Sequence, residues 1–212
     1  MLSLKKKELE IVLSKLKDIP NPKSNLEQYT IPGGLAAEIL NLALLSGDIE
    51  NKRILDLGCG TGRLSIGSAL LKAKQVIGVD IDEEVLKIAN ENIKIAEELT
   101  EKKIKNNLRF DKKDVSEIDE KVDTVIQNPP FGIQKLHADR LFLKKALECG
   151  NKIYSLHRSY EKTRNFLTAF VKENKGKLEK IIRFNFRIPY MFKFHEKPSV
   201  SYDVDLFVVS RV

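Results

Sequence analysis

The sequence predicts an α/β fold: a mostly parallel seven-stranded sheet with helices on both faces, finished by an antiparallel C-terminal hairpin. Three observations carry that expectation. Short apolar runs alternate with amphipathic helical stretches from residue 53 to residue 174, the pattern of βαβ units with right-handed crossovers. The first of those runs stops at Gly58-Cys59-Gly60-Thr61-Gly62, a glycine-rich turn of the kind that joins a buried strand to a helix. The last two runs, residues 178–187 and 200–210, have no helical stretch between them, so they must pair antiparallel and leave the sheet mixed.

In chain order, residues 4–17 place Leu9, Val12, Leu13 and Leu16 on one helical face, and Pro20 and Pro22 end that helix. Residues 34–45 read as a second, largely buried helix that Ser46-Gly47-Asp48 closes. Together, residues 1–48 form an N-terminal helical extension to a single domain covering 1–212. Strands follow at 53–57 and 75–80, separated by a helix over 63–71. A strongly amphipathic helix over 83–98 leads to strands at 108–110 and 122–126. Residues 139–149 and 160–174 are helical, with a strand at 152–156 between them.

Composition narrows the class. Of 212 residues, 42% are apolar and 32% charged, which is globular and not disordered. The apolar runs fall far short of the roughly 20 residues that span a bilayer, and the lysines at 5–7 follow only two leucines, so no signal peptide is expected and the default location is cytoplasmic. Cys59 and Cys149 lack C-x-x-C neighbours and only three histidines are present, so no metal site is expected and both thiols suit a reducing compartment. The net charge of +7 favours a polyanion such as RNA through counterion release, although a Lys- and Glu-rich solvated surface accounts for it equally well.

Asp56-Leu57-Gly58-Cys59-Gly60-Thr61-Gly62 ends a strand and opens a helix, and Asp80 ends the next strand roughly 20 residues on. A carboxylate there can hold both hydroxyls of a ribose. The dinucleotide fingerprint G-x-G-x-x-G is absent, since the third glycine comes one residue early. The spacing resembles the S-adenosylmethionine loop, a ligand with a sulfonium and an amino acid in place of phosphates. That resemblance sets Asp56 near the donor's ammonium group, and Asp114-Val115 at the adenine.

Asn128-Pro129-Pro130-Phe131 follows the strand ending at Ile126, on the carboxyl edge that also carries the glycine loop. A planar NH₂ is a poor nucleophile, because its lone pair is delocalised. The Asn128 side-chain oxygen and the Pro129 carbonyl can accept its two hydrogens and free that pair for attack on a methyl group. Proline fixes φ and removes a competing donor, and Phe131 offers a face for stacking. A base inside a duplex would have to be unpaired or flipped out. The tetrapeptide leaves adenine N6, guanine N2, cytosine N4 and a glutamine amide open as targets, in RNA, DNA or protein. A non-catalytic RNA-binding assembly factor that keeps the fold is the reading from another class, and the intact motifs weigh against it.

The chain resembles the archaeal and eukaryotic methyltransferase-like proteins, class I and Rossmann-like with an NPPF motif, that make N6-methyladenosine in small-subunit ribosomal RNA. The resemblance runs nearly end to end. It rests on Leu26-Glu27-Gln28-Tyr29, Asp56-Leu57-Gly58-Cys59-Gly60, Leu64-Ser65-Ile66-Gly67, Asp80-Ile81-Asp82, Asp123-Thr124-Val125-Ile126, Asn128-Pro129-Pro130-Phe131-Gly132, Tyr154-Ser155-Leu156-His157, Lys193-Phe194-His195 and Val204-Asp205-Leu206. It implies that Gln28 and Thr30 contact the methyl donor, that Thr61 and Arg63 occupy donor-loop positions, and that a small adaptor protein can accompany the enzyme. His157 and His195 read as structural hydrogen-bonding residues. Phe184, Phe186, Phe192 and Phe194 read as an inward strand face, and Arg183, Arg187 and Lys193 as cations for RNA. Residues 132–139 read as a mobile loop over the target.

Overall fold

In a computed structural model of the chain, residues 4–130, 138–189 and 199–212 are described. The elements run α1 (Lys6–Ser14), α2 (Gly33–Leu45), β1 (Arg53–Leu57), α3 (Arg63–Leu70), β2 (Gln75–Asp80), α4 (Glu83–Thr100), β3 (Leu108–Lys112), β4 (Val122–Gln127), α5 (Ala138–Cys149), β5 (Gly150–Arg158), α6 (Glu161–Glu173), β6 (Gly176–Pro189) and β7 (Ser199–Arg211). The sheet has seven strands in the order β3-β2-β1-β4-β5-β7-β6. The first five pair in parallel, and β7 pairs antiparallel with both β5 and β6. This is the mixed sheet that the apolar runs predict.

Alternation along the central strands sorts side chains into two cores. Ile54 and Val76 face a cluster with α1, α2 and α3, whereas Leu55, Leu57, Ile77 and Val79 face a cluster with α5 and α6. The helical extension is therefore part of one core: Leu9, Leu13, Ile39 and Leu40 are completely buried. Small residues permit the close approach. A Cβ on Gly33 would lie 2.5 Å from the Ser14 backbone nitrogen, and one on Gly67 would lie 2.3 Å from Leu40 Cδ1.

Two boundaries differ from expectation. Periodicity extends α1 through Leu16, but the helix ends at Ser14; Leu16 stays buried because the following segment turns back against the same core. β5 starts at Gly150, directly after Cys149, and runs to Arg158. Gly150 sits against the neighbouring strand, where a Cβ would meet Val125 Cγ2 at 2.7 Å. No helix among the described residues is long and apolar enough to cross a membrane.

Candidate active site

Register brings the site together. Leu57 pairs with Val79 on one side and with Gln127 on the other. Gly58, Asp80 and Asn128 therefore leave three adjacent parallel strands at one level. β1 is the strand from which the chain departs in both directions, since β2 and β3 lie to one side of it and β4 and β5 to the other. Ligands in open α/β sheets bind at such a switch point, outside the carboxyl ends of the strands. A cavity opens there, lined by Gln28, Thr30, Asp56, Gly58, Gly60, Thr61, Arg63, Asp80, Asp114, Val115, Asn128 and Pro130 among others.

The donor loop is a tight left-handed turn, with φ of 68° at Gly58, 53° at Gly60 and 81° at Gly62. A Cβ at Gly62 would also lie 2.6 Å from Phe110 Cζ, and one at Gly78 would lie 2.6 Å from the same ring. Phe110 thus fills the space under the loop. Asp80 is anchored through both oxygens: Oδ2 accepts from the Gly60 amide at 2.9 Å and Oδ1 from the Asp82 amide at 3.0 Å. Burial pushes its carboxyl above the usual range, against those two hydrogen bonds.

Asp56 is more isolated. Its Oδ2 accepts from Ser65 Oγ at 2.6 Å, while Oδ1 is buried with no hydrogen-bond partner. Burial pushes its carboxyl up to about 7, the Ser65 hydrogen bond opposing it. The hydroxyls of Thr30 and Thr61 are likewise buried and unpartnered at the cavity. Buried polar groups are normally satisfied, so three orphaned oxygens around one cleft mark a place for a polar ligand. Asp114 lines the far end, where its Oδ1 accepts from the amide and hydroxyl of Ser116 at 2.8 and 2.6 Å.

Asn128 stands across the cleft from Asp80. Its amide nitrogen donates to the Tyr29 carbonyl at 3.3 Å. Since a carbonyl can only accept, this contact fixes which end of the amide is nitrogen and leaves Oδ1 for another donor. Tyr29 belongs to the segment between α1 and α2, which crosses the mouth of the cleft. Gln28 donates to Asp82 Oδ2 at 2.8 Å and accepts from the Lys23 amide at 2.8 Å. Both ends of the Gln28 side chain are thus committed to holding that segment. Arg63 is committed in the same way: its guanidinium donates to the carbonyls of Leu13, Ile31 and Leu16 at 3.0, 2.8 and 3.0 Å and pairs with Asp18 at 2.8 Å. Although it lines the cavity, its donors grip the protein.

The fold and cleft are those of methyltransferases. A protein of Danio rerio, the rRNA N6-adenosine methyltransferase METTL5, is 37% identical over 209 residues, covering 95% of this chain and 97% of its own length. The chain belongs to the METTL5 family. A Methanocaldococcus jannaschii protein is 44% identical over 221 residues, 99% of this chain and 95% of its own. The crystal structure of a candidate RNA methyltransferase from Pyrococcus horikoshii superposes with a TM-score of 0.89 at 43% identity, each chain covered completely. A family model described as ribosomal protein L11 methyltransferase (PrmA) matches residues 38–129, the stretch from α2 through the donor loop to Asn-Pro. The resemblance read from the motifs is borne out. As a METTL5-family enzyme the chain is a methyltransferase whose donor is S-adenosylmethionine, and the orphaned oxygens of Asp56, Thr30 and Thr61 fit a ligand with an ammonium group and hydroxyls.

Some site features carry no sequence signal. Asn92 on α4 is fully buried, donates to the Lys17 and Thr61 carbonyls at 3.1 and 3.0 Å, and accepts from the Lys17 amide at 2.8 Å. It ties the mouth segment to the donor loop of this METTL5 relative, yet in the sequence it is one asparagine on a helix. Below Asn128, Gln127 Nε2 donates to Ser155 Oγ at 2.8 Å, which lies 2.7 Å from His157 Nε2. Burial lowers the His157 imidazole to about 3, and its ring meets Phe207 edge-on at 5.2 Å. His157 is a neutral structural residue at ordinary pH. Phe131, residues 132–137, and Phe192, Lys193, Phe194 and His195 lie outside the described residues, as do the side chains of Phe186 and Arg187; of the stretch expected to be a loop, residues 138 and 139 begin α5 instead. Phe184 packs against a core, and Arg183 is half exposed, 3.7 Å from Asp205.

Proposed function

We propose that this chain methylates N6 of an adenosine in RNA, with small-subunit ribosomal RNA as the substrate, and that its 212 residues act as one domain whose first 48 form a helical extension. The observation that carries the reading is Asn128: it sits level with the donor acids, in the same cleft, with its amide nitrogen already engaged and its oxygen left to accept. The full-length likeness to rRNA N6-adenosine methyltransferases supports adenine over guanine, cytosine or glutamine.

When bound, S-adenosylmethionine supplies a methyl group on a positively charged sulfur. Asp80 would hold the ribose hydroxyls with the lone pairs left free by the Gly60 and Asp82 amides. Asp56 Oδ1 and the Thr30 and Thr61 hydroxyls would meet the amino-acid part, and Asp114-Val115 the adenine. Gly58 and Gly60 let the backbone pass close by. On the target side, Asn128 Oδ1 and the Pro129 carbonyl accept the two amine hydrogens, which restores the lone pair. Pro130 keeps that turn rigid and Phe131 stacks on the base. These residues bind and orient, and positioning with fixed dipoles supplies the rate.

The basic surface for RNA lies beside the cleft, where α5 and α6 begin. The Arg140 guanidinium covers the Phe166 ring at 3.9 Å and Arg158 the Tyr160 ring at 5.1 Å. Both aromatic residues are exposed, and such pairs stack bases while meeting phosphate. The two sheet edges are β3 and β6. Charges line β3, with Arg109 paired to Asp111 and Lys112 to Glu83, an arrangement that discourages strand addition. The cytoplasm is the expected location, and the resemblance allows a small adaptor protein as a partner. Reaction of the purified chain with S-adenosylmethionine and ribosomal RNA, followed by nucleoside mass spectrometry, tests the reaction and the chain's sufficiency for it. N6-methyladenosine is the expected product, and N2-methylguanosine or no methylated nucleoside overturns it.

A further inference from the structure

The segment between α1 and α2 touches both halves of the cleft, and its own anchor lies outside the substrate contacts. At one end, Gln28 is bound to Asp82, two residues from the donor acid Asp80. At the next residue, the Tyr29 carbonyl receives the Asn128 amide. Two residues further on, the Ile31 carbonyl is gripped by Arg63 Nη1 at 2.8 Å. Arg63 is 6% exposed and starts α3, immediately after the donor loop. Its other donors take the Leu13 carbonyl, in the last turn of α1, and the Leu16 carbonyl, two residues beyond the helix. Those carbonyls have no partner within the helix, and a cation is favoured there. One buried guanidinium therefore fixes the end of α1, the chain just after it, and Ile31, which lies two residues after Tyr29 and two before α2.

We propose that the Tyr29 main-chain carbonyl orients the Asn128 amide for methyl transfer, and that Arg63 is the positioning residue that keeps this carbonyl in place. The inference rests on the methyltransferase reading above. An amide whose nitrogen has lost its acceptor is free to rotate about its terminal torsion, which is broad and roughly two-fold. Half of its orientations then present NH₂ to a target amine that needs an acceptor. A misplaced reacting group costs far more in rate than in donor binding.

Two changes separate this from a merely structural role. Arg63→Met leaves the α1 and Ile31 carbonyls without their donor, and Arg63→Lys keeps a charge but not the fork that reaches three carbonyls. With the wild-type chain active on ribosomal RNA, single-turnover transfer at saturating donor and RNA is measured on folded protein at 25 °C. A drop of about ten-fold is expected for Arg63→Met, with a smaller drop for Arg63→Lys. Replacing Thr30 by its α-hydroxy analogue makes the Tyr29 carbonyl an ester carbonyl, a weaker acceptor, while every side chain stays. The transfer rate is expected to fall about five-fold with donor affinity within about two-fold of wild type.

A lower melting temperature with an unchanged transfer rate in folded Arg63→Met overturns the role of Arg63. An unchanged rate in the ester protein overturns the role of Tyr29, and that measurement decides the case if Arg63→Met does not fold. A wild-type chain that makes no N6-methyladenosine would instead overturn the reading on which the inference rests.

Discussion

On the donor side of β1, Asp56 is held by Ser65, nine residues away, and Asp80 by Gly60, twenty residues away. On the target side, Asn128 is held by Tyr29, ninety-nine residues away. The donor half is thus a local construction of strand, glycine turn, helix and the next strand end. The half that carries Asn128 draws its side-chain contact from the distant N-terminal segment. The same contrast appears in the buried ionisable groups. Asp56 has an orphaned oxygen facing a ligand site, whereas His157 is satisfied within the protein. An unsatisfied group near a cleft waits for a ligand, and a satisfied one beneath it holds shape.

The strongest test of that contrast is Asn128→Ala. Transfer should fall by about a thousand-fold while donor affinity, measured by calorimetry, stays within about three-fold. Equal losses of both would show that the two halves are not separable. Asp80→Ala should do the reverse. Donor affinity is expected to weaken about a hundred-fold through two lost charge-assisted hydrogen bonds, with substantial turnover at saturating donor. Gly62→Ala tests how local the donor half is. A side chain at φ 81° that also meets the Phe110 ring at 2.6 Å should cost about 2 kcal/mol in urea denaturation.

The most gradual effects are in pH, at most about 1.4 kcal/mol per pH unit for one group, and the two halves should differ in sign. Asp56 titrates at about 7 in the folded chain against an ordinary 3.8. The folded state therefore holds an extra proton between those values, and the donor-free protein should lose stability as pH rises from about 4 to about 7. On the proposed role of Asp56, donor binding uses the ionised carboxylate, so affinity should rise roughly ten-fold from about pH 6 to about pH 7.5 and flatten in Asp56→Asn. His157 is lowered from 6.5 to about 3. The unfolded chain takes up that proton first, so its contribution is present above about 6.5 and lost as pH falls. Urea midpoints of Asp56→Asn and His157→Gln across pH 4–8 should change slope in opposite directions, and parallel shifts would remove the distinction.

This difference also explains what the sequence made legible. Glycine spacing, a strand-end acid and Asn-Pro-Pro are residue types at fixed offsets, so most of the cleft follows from them, as the mixed sheet follows from the alternating apolar runs. The resemblance sets Arg63 at a donor-loop position; only the folded path of residues 13–31 shows its side-chain donors turned to Leu13, Leu16 and Ile31. The Tyr29 contact has no residue-type signal, because every residue has a carbonyl. Asn92 is hidden for a related reason, since its three partners come from two distant segments.

Gly78 is a strand glycine with an ordinary negative φ, so backbone freedom does not account for it. Its want of a side chain makes room for the Phe110 ring and the Ser65 hydroxyl, which a Cβ there would approach to 2.6 and 2.8 Å. Volume at these two positions is a shared quantity. Relatives that carry alanine at 78 should carry a smaller residue at 110, and the double substitution Gly78→Ala with Phe110→Leu should be better tolerated than Gly78→Ala alone. Drift at a sheet edge is in this way chained to the glycine turn, and pairwise substitution patterns across the family would record the bond.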